Sequence, residues 1–209
     1  MTLLAIVDND LVEKAAAVCL LPELHDILGV SEEGLRILST ARWRYTEKRR
    51  GRAVGRLGEA TVDSILQFCD RTAKAPEVDP ADAAVLAAIP NIDDGELILI
   101  SYASRQPDAL LATGDKRCLN ALAAASSASG FMQKLSGRVI CFEQVVVRAV
   151  AKLGFEEVRA RIAPNITCDG ALRAAFGSGM QAEWSNVDST LTGFIANLRS
   201  STRQLLVDF

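Results

Sequence analysis

The 209-residue chain holds a single histidine, His25, and five cysteines, none of them paired at CxxC spacing. A Cys/His zinc site is therefore excluded, and Cys19, Cys69, Cys118, Cys141 and Cys168 read as reduced core thiols of a cytoplasmic protein. No GxSxG turn and no Walker A loop occurs, which removes the commonest serine-hydrolase and P-loop chemistries. No apolar run approaches the roughly 20 residues that span a bilayer, so no membrane partner is expected. The first apolar run lacks basic flanks and meets Asp8 at once, which predicts neither a signal peptide nor an anchor. There is no solenoid period and no low-complexity segment. The net charge is only -3, so nothing in the bulk charge demands a nucleic-acid partner.

What is present is a globular composition. With 49% hydrophobic and 23% charged residues the chain can bury a sizeable core. Leu3–Val7 is continuously apolar and ends at the turn-prone Asp8-Asn9-Asp10, the signature of a strand buried on both faces. A helix follows, with Asp10 as its cap. Leu35–Thr40 suggests a second strand, although Glu32 and Glu33 also suit a helix start. Leu57–Arg71 reads as an amphipathic helix and residues 81–89 as a short one. Asp93 or Asp94 caps the next helix, Ala109–Ala112 is a strand, and Asp115 opens another helix. Ala123–Gly130 is loop or frayed helix; Arg138–Phe142 is a strand and Val145–Leu153 a helix. This alternation predicts an α/β fold: three layers, a central and mostly parallel sheet of four or five strands. Residues 1–154 form that domain and 155–209 a helical C-terminal extension without strands.

Chemistry concentrates in two places. Asp8, Glu96 and Asp115 each stand at a strand or helix end, where parallel sheets present functional groups. Each alone is explained as a turn residue or helix cap. Together they repel one another, and a hard cation offsets that repulsion. The second place is the run from Arg42 to Arg56, RWRYTEKRRGRAVGR, with seven cations against Glu47 alone. Arg42, Arg44, Lys48, Arg49 and Arg50 suit a phosphate backbone, and Trp43 and Tyr45 suit stacking on unpaired bases. A solvated helix face or a protein-docking surface explains the same run.

With these residues in view, residues 3–145 resemble the PIN-domain family of metal-dependent ribonucleases. The resemblance lies in IVDND with Asp8, in Asp94-Gly95-Glu96, and in Thr113-Gly114-Asp115. It implies an endoribonuclease that hydrolyses RNA phosphodiesters with Mg²⁺ or Mn²⁺. Asp8, Glu96 and Asp115 would be the metal ligands, Glu47 a fourth catalytic acid, and Asn9 and Asp94 would support them. Asn9 departs from the Ser or Thr that usually follows the first aspartate, and Glu47 is placed only by its position seven residues past Thr40. The family's common use implies a toxin component, with a protein antitoxin and a second copy of the chain as further partners. Two rivals stand beside this reading. One is a catalytically silent PIN-like scaffold. The other is a different α/β phosphohydrolase with Asp8 as nucleophile and Asp10 as acid–base.

Overall fold

The computed structural model describes residues 3–208, apart from the side chain of Glu47. Five parallel strands form one sheet in the order β3-β2-β1-β4-β5. They are β1 (Leu4–Val7), β2 (Leu35–Ile37), β3 (Ala73–Lys74), β4 (Ala109–Thr113) and β5 (Val139–Cys141). The expected three-layer α/β architecture is therefore what the chain adopts. The sequence reading of the strands differs at two places. The second strand stops at Ile37, after a 3-10 turn at Glu32–Gly34, so both readings of that stretch hold in part. The two-residue β3 has no counterpart in the sequence reading, because Ala-Lys carries no strand signal.

Helices α1 (Asn9–Ala17) and α2 (Leu24–Leu28) link β1 to β2. Helices α3 (Glu47–Leu57) and α4 (Glu59–Arg71) link β2 to β3, and α4 packs on α1. The chain then returns through α5 (Pro80–Leu86) and α6 (Asp94–Arg105), and α6 packs on both β1 and β4. Helices α7 (Lys116–Ala124) and α8 (Ser129–Lys134) lead to β5 and α9 (Phe142–Leu153). Right-handed crossovers put connections of opposite direction on opposite faces of a sheet. The reversal falls between β1 and β4, and a crevice opens there at the carboxyl ends of the strands. Gly58, at φ 82°, separates α3 from α4, a left-handed position that favours glycine.

The extension comprises α10 (Phe155–Ile162), α11 (Gly170–Ala175) and α12 (Trp184–Thr202). It is not an appendage. One hydrophobic cluster runs from Ala5 in β1 to Val207. Beyond α12 the chain bridges the sheet edge: Leu206 pairs with Val139 of β5, and the Val207 N–H donates to the Val139 carbonyl at 2.8 Å. The contact is an isolated bridge; among the described residues the extension forms no strand, as expected. All five cysteines are unbridged, and Cys19 is exposed, against its assignment to the core. Among the described residues no helix is long and apolar enough to cross a membrane.

Candidate active site

Asp8 follows β1 directly and stays in the ladder, its N–H donating to Ala112 of β4 at 2.9 Å. That bond seats it beside Thr113, whose hydroxyl donates to Asp8 Oδ2 at 2.9 Å. The same hydroxyl oxygen accepts the Asp115 N–H at 3.1 Å. Thr113 thus ties the ends of β1 and β4 together through one atom. Asp8 is 7% exposed and is the N-cap residue of α1, where its side chain makes no capping bond. The sequence reading gave that cap to Asp10. Burial pushes the Asp8 carboxyl up to about 6; the Thr113 hydroxyl opposes this, and the charges of Asp10 and Asp115 add to it.

Glu96 comes from the first turn of α6. It shares with Asp8 a small cleft walled by Leu99, Ile100 and Cys118. Burial pushes its carboxyl up to about 7, and the charges of Asp93, Asp115 and Asp8 contribute. The Glu96 side chain also closes a capping box: Oε2 accepts the Asp93 N–H at 2.8 Å, and the Glu96 N–H donates to Asp93 Oδ1 at 2.8 Å. Asp115 lines a neighbouring recess with Glu96 and Arg117. It caps α7 through the Arg117 and Cys118 N–H groups and pairs with the Arg117 guanidinium at 2.8 Å. Burial works against its charge but is outweighed by Arg117, which holds the carboxyl below its ordinary value.

The three acids therefore lie near one another at the crevice between β1 and β4, in two adjoining recesses that share Glu96. Two of them also fulfil the capping roles that explain them singly. Among the described residues no three His, Cys, Asp or Glu side chains gather closely enough to share one ion. The donor chemistry still suits a hard cation. Mg²⁺ keeps several waters and commonly uses one or two carboxylates plus substrate oxygens. Asp8 and Glu96 are two oxygen donors whose charge is disfavoured where they stand, a condition that a cation reverses.

The remaining candidates separate. Asn9 is buried at the start of α1, and Asp94 is exposed at the start of α6. Glu47 opens α3, but its side chain lies outside the described residues. Asp10 turns towards Gly114 and pairs with Lys14 at 2.7 Å. Gly114 leaves room for that pair, because a Cβ would fall 2.2 Å from Asp10 Oδ2 and force the carboxylate to shift.

The basic run folds into a 3-10 turn, Ala41–Tyr45, followed by α3. Arg44, Lys48, Arg49, Arg52 and Arg56 line an open groove of about 530 Å³. Lys48, Arg49 and Arg52 have no carboxylate partner among the described residues. Arg42 and Arg50 do not join the groove: Arg42 pairs with Asp70 at 2.7 Å, and Arg50 with Asp63 at 2.9 Å. Helical spacing was the missed signal, since 48, 49, 52 and 56 share a face that 50 does not. Trp43 is 62% exposed, as a stacking residue would be. Tyr45 is buried, donating its hydroxyl to Glu13 Oε1 at 2.7 Å, and is unavailable for stacking.

Three residues outside the sequence reading frame the site. Burial disfavours the charge of Glu13, but Arg56, at 2.6 Å, and Tyr45 outweigh it and hold the carboxyl below its ordinary value. Asp169, from the extension, caps α11 and pairs with Lys14 at 2.9 Å. Glu143, in the first turn of α9, is 1% exposed and pairs with Lys116. Set against protein-family models, curated proteins and solved structures, the chain returns no match.

Proposed function

We propose that this chain is a Mg²⁺- or Mn²⁺-dependent endoribonuclease, as the resemblance of its sequence implies. The observation that supports it most is the nearness of Asp8, Glu96 and Asp115 where the sheet reverses direction, with Thr113 bonded to both aspartates. Asp8 and Glu96, with Asp115 beside them, are the residues that would hold the metal. When bound, such an ion acidifies a water and neutralises charge on the phosphoryl oxygens. Thr113 orients the Asp8 carboxylate, and the apolar walls from Leu99 and Ile100 keep its surroundings dry, which strengthens charge interactions. Lys48, Arg49 and Arg52, the unmatched cations of the groove, would carry the RNA backbone. A toxin role, a protein antitoxin, self-association and a cytoplasmic location belong to the same proposal.

The test is RNA cleavage with Mg²⁺, with Mn²⁺ and with chelator, for the parent and for Asp8→Asn. Expected is metal-dependent cleavage that the variant loses while its circular dichroism stays unchanged. Full activity in chelator overturns the proposal. One observation favours a second reading, a silent RNA-binding module: the Glu96 and Asp115 carboxylates are engaged as caps. Metal-independent RNA binding without cleavage in any metal would select it.

A further inference from the structure

A second cavity, of about 290 Å³, lies between α1, the end of α3 and the Ala163–Cys168 turn of the extension. It adjoins both features described above. Arg56 lines this cavity and the basic groove alike. Lys14, in its wall, donates to the Gly114 carbonyl at 3.4 Å, between Thr113 and Asp115. The cavity thus borders the groove through Arg56 and the loop carrying Asp115 through Lys14.

Its chemistry differs from that of the groove. The cations of its wall are already engaged by carboxylates: Lys14 is held between Asp10 and Asp169 at 2.7 and 2.9 Å, and Arg56 meets Glu13 at 2.6 Å. A phosphate gains little from cations whose charge is spent in this way. What the wall offers is a mixture of donors and acceptors, completed on the extension side by the exposed Asn165 and Thr167. Mixed polar edges suit the Watson–Crick or Hoogsteen edge of an unpaired base, the usual target of sequence-specific RNA recognition. The neighbouring groove, rich in unmatched cations, suits the phosphates that flank it.

We infer that this cavity is a base-reading subsite for single-stranded RNA, in which Asn165 and Thr167 of the C-terminal extension contact the base next to the phosphates held by α3. The inference rests on the RNA reading above. It gives the extension a role in substrate choice, in addition to its part in the core.

The test measures fluorescence anisotropy of short, labelled A, C, G and U homopolymers with the full chain in chelator, where binding proceeds without cleavage. The variants are Asn165→Ala with Thr167→Ala, the steric block Thr167→Trp, and Arg49→Ala with Arg52→Ala. The parent should prefer one base. The double alanine variant should bind that base about tenfold more weakly, the loss of two polar contacts, the steric block should weaken it at least as much, and both should lose the preference with an unchanged salt slope. The arginine pair should weaken all four RNAs and lower the salt slope by about 1.4, at about 0.7 per phosphate contact on single strands. Equal binding of all four homopolymers by the parent overturns the inference, as does an unchanged preference in the cavity variants. If the arginine variant behaves as expected in that case, the RNA reading survives and the subsite alone falls. If the parent binds no RNA, both fall.

Discussion

Asp8→Asn should make the metal-free protein more stable, although it removes a candidate catalytic group. The Asp8 carboxyl rises from an ordinary 3.8 to about 6 on folding, chiefly through burial. The folded state therefore holds this proton more tightly than the unfolded chain does. Below pH 3.8 the group is protonated in both states and carries no penalty. As pH rises through 6 the folded protein must ionise a buried acid, and the penalty becomes complete. A shift of this size corresponds to about 3 kcal/mol. The N-terminus of α1 returns up to about 1 kcal/mol to the charged form, which leaves an expected gain of about 2 kcal/mol. Asparagine keeps an oxygen for the Thr113 hydroxyl, and no capping bond is lost, because the Asp8 side chain makes none. For a chain of this length that gain is about 4–8 °C in Tm. The assay is thermal and urea unfolding of parent and variant at pH 4 and pH 8 in chelator, with a repeat at pH 8 in Mg²⁺ or Mn²⁺. The gain should be present at pH 8, small at pH 4, and reduced by metal, which stabilises only the parent. A variant no more stable than the parent at pH 8, or a difference independent of pH, would refute the reasoning.

Two further substitutions probe the framework of the site. Gly114→Ala should cost about 1–3 kcal/mol in urea unfolding, since its Cβ meets the Asp10 carboxylate that Lys14 pins in place. Asp10→Ala should relieve most of that cost, and strict additivity of the two changes would show that the clash is not its source. Lys116→Ala leaves the buried Glu143 carboxylate without its cation and should cost about 3–5 kcal/mol at pH 7. Adding Glu143→Gln should recover much of the loss, and a double variant as unstable as the single one would contradict the pairing argument.

The apolar run ending in Asp8 was legible because a strand buried on both faces needs no alternation. Asp115, and Asp93 or Asp94, were legible as helix starts because capping is local chemistry, settled within three or four residues. The ion pairs of Arg50 were not legible, for the opposite reason. Its partners Asp63 and Glu59 sit on the next helix, and composition does not report which face of α3 meets α4. Tyr45 looked like a stacking residue until the fold brought Glu13 from α1 onto its hydroxyl.

The sequence by itself determined the α/β alternation, the acids at strand and helix ends, and the excess of cations in residues 42–56. These are written in periodicity, capping and local charge, which act between near neighbours in the chain. Only the tertiary structure decided that the sheet reverses between β1 and β4, so that Thr113 bridges Asp8 and Asp115 across 105 and 2 positions of sequence. It alone brought Asp169 of the extension onto Lys14, and Leu206 onto the edge of β5. Those contacts join residues distant in the chain, and packing of the whole core selects them, since no local signal distinguishes Asp169 from any other helix-capping aspartate.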